Sequence, residues 1–302
     1  MSNRRSVILT MAAGYDRPAL EPFVGSIARF SPNTKLVVFV DRYRKDVIQL
    51  LKESEVEHEF CLNGGMIRSF GSLIRSRYRI ARILGIVATI GNTQGIWRNL
   101  CAQLLFHAAV YRHLAYLSWL RRQNEETVVY LLDSRDVLVL RDLSRIELEM
   151  LCVAEEKGTI GSEPMNSAWQ ILSGYSPAQA HTLYGQKILC SGAMAGPSKE
   201  ILEFSKDFVV EALSKIDSVC NLAAMDQPIA NWMLRNSPWQ ERAQKLPYQN
   251  DLIVNLGTSG SECANWLGVP TETSEGWPAI LHQYDRIPSI ESRLQNSGLI
   301  QY

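Results

Sequence analysis

Apolar and polar positions along this chain fall into two recurring patterns. Short runs of strand length cover Ser6 to Ala13, Lys35 to Asp41, Thr127 to Leu132 and Lys187 to Ala195. Helical spacing covers Pro18 to Phe30, with Pro18 suited to a first turn, and the amphipathic stretch Arg44 to Ser54. Glu57 to Leu62 reads as a further strand, as does a segment near Thr159 to Glu163. Ile67 to Gln123 is mostly helical by periodicity, with a break expected at Gly91-Asn92-Thr93-Gln94-Gly95. Pro197 opens a helix to about Lys215, and Met225 to Leu234 forms another. The C-terminal third, rich in Pro, Gly, Trp and Asn, reads as irregular. Strands alternating with helices at the N-terminus predict an α/β fold with a mostly parallel sheet and a crevice at the strands' C-terminal ends.

One run ends unusually. Val128 to Leu132 reads as a buried strand, and it stops at Asp133-Ser134-Arg135-Asp136 before Val137-Leu138-Val139 resumes. A carboxylate at the end of a buried strand costs free energy unless something compensates it. Two of them, three residues apart, suit a divalent cation that grips a diphosphate. The residues alone leave a second reading open, a surface turn in which Arg135 pairs with Asp133 or Asp136.

Composition narrows the class. The chain has 302 residues, 46% hydrophobic and 21% charged, with a formal net charge of zero. That is ordinary for a globular protein of enzyme size, and a general nucleic-acid binder is not expected. Six cysteines are scattered without a Cys-x-x-Cys pair, which argues against a zinc site and a disulfide framework. The start, Arg4-Arg5 followed by Val7 to Ala13, imitates a short signal peptide but reads better as a first strand. No run reaches the roughly 18 apolar residues of a spanning helix; Ile80 to Ile90 comes nearest and Arg82 interrupts it. The sequence has no Asn-x-Ser/Thr acceptor, so a cytoplasmic location is expected.

Charge is balanced only in total. Between Phe60 and Asn124 there is no Asp or Glu, and there are nine arginines: Arg68, Arg75, Arg77, Arg79, Arg82, Arg98, Arg112, Arg121 and Arg122. Three roles compete for them: a cradle or flap over a diphosphate, contact with an anionic membrane surface, or pairing with acidic faces elsewhere in the fold.

The order of motifs carries a resemblance. A strand leads into Gly14-Tyr15; a second ends at Asp41; then come Asp133-Ser134-Arg135-Asp136, Cys190-Ser191-Gly192, Asp226-Gln227 and His282-Gln283-Tyr284-Asp285-Arg286. This resembles the GT-A type glycosyltransferases, the nucleotide-diphospho-sugar transferases, and within them the glycogenin and lipopolysaccharide-galactosyltransferase group. The resemblance runs from about residue 6 to residue 288. It implies one Rossmann-like GT-A domain over 1–302, with a nucleotide-binding half at 1–140, a donor-sugar and acceptor half at 141–302, and a helical arginine-rich insertion at 66–124.

The resemblance also implies roles. Asp136, Asp133 and His282 would hold Mn²⁺ or Mg²⁺. The family's Asp-x-Asp is here Asp-x-x-Asp, so either Asp133 or Ser134 would take the first position. Thr10, Ala12 and Tyr15 would face the nucleotide, with Tyr15 stacking on the base. Arg112 would contact phosphate or sugar, and Ser191 and Gly192 would lie close to the donor sugar. Asp226 and Gln227 would face donor sugar and acceptor. The implied activity is metal-dependent transfer of a sugar, with retention, from a UDP-sugar to an acceptor hydroxyl on a glycan, a lipid-linked sugar or a protein, with peripheral membrane contact where the acceptor is lipid-linked. Alternatives are a sugar-phosphate nucleotidyltransferase and an inactive nucleotide-sugar or partner-binding protein. The first normally has a Gly-rich phosphate loop after strand one, and Met11-Ala12-Ala13-Gly14-Tyr15 is poor in glycine.

Overall fold

A computed structural model describes residues 5–41, 44–61, 107–123, 126–215, 218, 226–257, 277–296, 298 and 300. In chain order these form β1 (Arg5–Met11), α1 (Arg17–Phe30), β2 (Lys35–Asp41), α2 (Lys45–Glu53), β3 (Glu57–Cys61), α3 (Ala108–Leu120), β4 (Thr127–Leu132), β5 (Val137–Val139), β6 (Leu151–Thr159), α4 (Pro164–Leu172), α5 (Pro177–Leu183), β7 (Lys187–Pro197), α6 (Ser198–Ser214), α7 (Asp226–Asn236), α8 (Trp239–Arg242), β8 (Ala243–Leu246), β9 (Ile253–Asn255), β10 (Ile280–His282) and α9 (Pro288–Asn296).

The central sheet has seven strands in the order β3-β2-β1-β4-β7-β6-β8. β3, β2, β1 and β4 run parallel, β7 is antiparallel to both β4 and β6, and β8 runs parallel to β6. Continuous apolar sequence in β1 and β4 follows from this position, since both faces of the sheet are covered. Val7, Leu9, Met11, Val129 and Leu131 pack on one face against α3, α6 and α7. Ile8, Ala12, Val128, Tyr130 and Leu132 pack on the other against α1, α2 and a smaller sheet. Each fully buried aliphatic side chain of this kind contributes roughly 1.5–3 kcal/mol.

Local chemistry sets the element ends. Asp16 caps α1 by accepting from the Ala19 backbone N–H at 3.1 Å, with proline in the first turn. Ser176 and Gln179 form a capping box that starts α5. The smaller sheet has the order β5-β10-β9. Its β10 pairs antiparallel with β5, so that His282 stands opposite Val137.

Two sequence expectations are corrected. Thr159–Glu163 is not a strand; the strand is Leu151–Thr159, and a Gly161-Ser162 turn leads into α4. The apolar Leu151–Ala154 was the stronger signal, masked by the charged Glu155, Glu156 and Lys157 that follow on the same strand. The described residues of the C-terminal third form regular elements: β8, β9, β10 and α9 lie among them, and β9 and β10, at three residues each, are too short to show a period. Of the long helical stretch, Ala108–Leu120 is helix; residues 62–106, including the expected break and six of the nine arginines, lie outside the described residues. Among the described residues, no helix is long and apolar enough to cross a membrane.

Candidate functional site

The chain order reverses beside β1, which pairs with β2 on one side and β4 on the other. Such switch points open a crevice at the strands' C-terminal ends. A cleft of about 730 Å³ lies there, lined among others by Tyr15, Arg112, Asp133, Ser191, Gly192, Asp226, Gln227 and His282.

Backbone pairing brings the acidic turn and the distant histidine together. Asp133 leaves β4 with its N–H donating to the Gly192 carbonyl on β7 at 2.7 Å. β10 then places His282 beside β5, and the Gln283 N–H donates to the Asp136 carbonyl at 2.6 Å. Gln283 holds this turn at φ +65°, a left-handed conformation uncommon outside glycine, and its side-chain oxygen accepts from the Gly257 N–H at 2.7 Å.

One ligand atom from each of Asp133, Asp136 and His282 lies within 4.8 Å of the other two. His282 Nε2 is 3.6 Å from Asp133 Oδ2 and 3.5 Å from Asp136 Oδ1. Oxygen and nitrogen ligands of one divalent ion, at roughly 2.1–2.3 Å each, stand about 3–4.5 Å apart. Buried His282 Nε2 makes no hydrogen bond and faces both carboxylates. Gly192 supplies the room, since a Cβ there would stand 2.6 Å from Asp133 Oδ2 and 2.9 Å from His282 Nε2. The residues therefore fit a divalent metal. Ser134 is turned away from the cluster, with its hydroxyl donating to the Met11 carbonyl at 3.5 Å.

Arg112, on α3, ties this cluster to the opposite wall. Its guanidinium pairs with Asp133 Oδ1, donates to Asp226 Oδ2 at 2.7 Å and donates to the Ser191 carbonyl at 2.9 Å. Asp226 Oδ2 also accepts from the Ser191 hydroxyl at 2.8 Å. Burial alone would raise the Asp133 carboxyl, but the charges of Arg112 and His282 hold it well below its ordinary range. Asp136 is likewise lowered: burial opposes, and His282 prevails. Arg112 is burdened by desolvation, and Asp133 and Asp226 more than offset this and lock its charge on. Burial raises Tyr15, and the charges of Asp133 and Asp136 raise it further.

The structure thus gathers Tyr15, Arg112, Asp133, Asp136, Ser191, Gly192, Asp226, Gln227 and His282 around one cleft. It does not bring Thr10 and Ala12 there. Both are fully buried, because strand alternation turns Met11 and Ala13 to the cleft and their neighbours into the layer beneath. Arg112 meets carboxylates as well as the cleft, so pairing with acids, one of the roles open to the arginines, falls to this one. Asn166, Trp169, Cys190 and Asn255 were missed. Only Cys190 had a signal, as the neighbour of Ser191-Gly192; Asn166 and Trp169 sit on α4, and Asn255 lies on a three-residue strand without a motif.

No family model matches the chain, and no curated protein does. Among solved structures, two of the glycosyltransferase GlyE from Streptococcus pneumoniae TIGR4, the second its apo form, share 15% and 14% identity with TM-scores of 0.45 and 0.47. Each alignment covers 93% of this chain and 55% of GlyE, so the chain spans about half the length of those structures. The galactosyltransferase LgtC, in complex with donor and acceptor sugar analogues, shares 12% identity over 98% of this chain and 96% of its own, with a TM-score of 0.48.

Proposed function

We propose that this chain is a metal-dependent glycosyltransferase that moves a sugar from a nucleotide-diphospho-sugar, a UDP-sugar, to an acceptor hydroxyl. The observation that carries this reading is the convergence of Asp133, Asp136 and His282 at the end of β4, tied through buried Arg112 to Asp226 across the same cleft.

In the reaction, the bond between the anomeric carbon and the diphosphate oxygen breaks. A bond from the acceptor oxygen to that carbon forms, and the hydroxyl proton leaves to the departing diphosphate or to solvent. A divalent cation, when bound, offsets the negative charge that grows on the leaving diphosphate. The protein's own part is to hold groups in place before the charge develops. Asp133, Asp136 and His282 would hold the cation. Arg112 fixes the direction of Asp133 and adds positive charge beside the diphosphate. Asp226, held by Arg112 and the Ser191 hydroxyl, would face the donor sugar's hydroxyls together with Gln227, whose amide is fixed by donation to Asn166 Oδ1 at 2.8 Å. Gly192 lets the donor approach the β7 backbone without a side chain in the way. Tyr15, on the β1 side of the cleft, would stack on the base. The retained configuration that the resemblance implies belongs to this proposal, as does an acceptor that is a glycan, a lipid-linked sugar or a protein.

Titration with UDP-sugars, with and without Mn²⁺, tests the reading. Mn²⁺-dependent binding that Asp136→Ala abolishes in a folded protein supports it, and NMR of the product reads the anomeric configuration. Metal-independent binding, or Mn²⁺-dependent binding unchanged in Asp136→Ala, overturns the metal assignment. Release of pyrophosphate from a nucleoside triphosphate and a sugar phosphate would mark a nucleotidyltransferase instead.

A further inference from the structure

His282 reaches the carboxylates through one ring edge and is gripped by the other. Asn255 Oδ1 lies 2.9 Å from Nδ1, and Asn255 is fully buried at the end of β9. The amide's orientation is fixed independently, because Asn255 Nδ2 donates to the Ala154 carbonyl on β6 at 3.2 Å. Turning the amide over would lose that bond and set an N–H pair against the ring. Oδ1 can only accept, so the ring must carry a proton on Nδ1. When a divalent cation takes the place of a proton on Nε2, a ring that keeps its proton on Nδ1 presents its lone pair there, on the nitrogen that faces Asp133 Oδ2 and Asp136 Oδ1. Cys190 Sγ lies 3.5 Å from the same Nδ1, and sulfur is the weaker acceptor of the two.

We infer that Asn255 is the positioning residue of this site: it fixes the His282 tautomer and ring plane, so that Nε2 is presented as a ligand to a divalent cation held with Asp133 and Asp136. The inference rests on the metal reading of the cluster. The strand pairing makes the arrangement rigid. β9 lies parallel beside β10 with Asn255 opposite His282, so the acceptor and the ring it orients sit at the same level on adjacent strands. A partner that orients a ligating histidine typically carries 10–100-fold in metal affinity.

The test is Mn²⁺ binding, read by the electron paramagnetic resonance signal of the free ion, with thermal unfolding in EDTA run in parallel. Asn255→Leu removes the acceptor and should weaken Mn²⁺ binding by about 10–100-fold. Asn255→Asp keeps an oxygen facing Nδ1 while losing the bond to Ala154. It should therefore unfold at a lower temperature than wild type yet bind Mn²⁺ at least as tightly. A merely structural role predicts the reverse, with affinity following stability in both variants, and that result overturns the inference. Wild-type protein gives a reading that needs no variant: in a long-range proton–nitrogen spectrum of the Cd²⁺-loaded protein, His282 should carry its proton on Nδ1 and the metal on Nε2, and the opposite assignment overturns it. Wild-type protein that binds no divalent ion overturns both this inference and the metal reading, whereas wild-type binding that Asn255→Leu leaves unchanged overturns this one alone.

Discussion

Gly192 and His282 share the same few ångströms of space: a Cβ on the glycine would stand 2.9 Å from the histidine's Nε2 and, on its other flank, 2.6 Å from Asp133 Oδ2. Real Cβ contacts do not come that close, and neither neighbour can easily yield. His282 is wedged between Asn255 and the carboxylates, and Asp133 is held by Arg112. Gly192→Ala should therefore cost about 1–3 kcal/mol by overpacking and should also displace two of the three candidate ligand atoms. We expect Mn²⁺-dependent nucleotide binding to fall at least tenfold, a larger loss than the stability change explains. Calorimetric titration beside urea unfolding checks this, and a variant that binds as wild type does would place the cation elsewhere.

Arg112 is the other fixed point. It is buried between half-buried Asp133 and buried Asp226, and Asp226 lies 2.7 Å from one of its guanidinium nitrogens. Arg112→Met would leave buried Asp226 without its cation and Asp133 with His282 alone, and breaking a buried pair such as Arg112–Asp226 costs about 3–5 kcal/mol. Arg112→Lys keeps the charge but not the fork that reaches Asp133, Asp226 and the Ser191 carbonyl at once. Urea unfolding should order the proteins wild type, Lys, Met in falling stability. Equal stability of Lys and wild type would show that charge alone, without the fork's geometry, holds the two walls together.

What the sequence made legible follows from physical range. The Thr127-to-Leu132 run and its two terminal carboxylates were readable because burial of a strand forces a local signal. The same holds for β1, β2 and α1, whose apolar spacing and proline placement are decided within one element. Thr10 and Ala12 were misplaced because a strand buried on both faces has no alternation to show which side the cleft is on. The environment of Arg112 was invisible because its partners lie 21 and 114 residues away. Asn255 and His282 meet through the pairing of two three-residue strands, and nothing in either segment alone announces it.

Asp226 separates binding from transfer. Its Oδ2 accepts from both Arg112 and Ser191, so its charge is directed and its position fixed. Asp226→Asn should keep nucleotide affinity, which the proposed function assigns to Asp133, Asp136, His282 and Tyr15, while transfer falls by roughly two orders of magnitude, as when a positioned charge is lost. Single-turnover transfer measured against nucleotide titration reads the two apart. Equal losses in both would make Asp226 a structural partner of Arg112.

His113, the neighbour of Arg112 on α3, points into the opposite environment. Its ring is stacked on Phe208 at 3.9 Å, with Phe204 and Tyr116 edge-on at 6.2 Å each, and neither ring nitrogen has a hydrogen-bond partner. Burial pushes its pKa well below the ordinary value, the charge of Arg112 lowers it further, and Asp133 opposes weakly. The folded chain therefore binds no proton here, while the unfolded chain takes one up near pH 6.5. Stability from this group is complete above that pH and is lost as pH falls toward the depressed folded pKa, by about 1.4 kcal/mol per unit. His113→Phe removes the titration. Relative to wild type, the variant should gain about 1.4 kcal/mol between roughly pH 7.5 and pH 5.5, whatever constant offset the change in volume brings. Denaturant unfolding of both proteins at the two pH values measures it. A stability gap that stays the same at both would mean that the folded core accommodates the protonated ring, and that the aromatic stack around His113 is open to water.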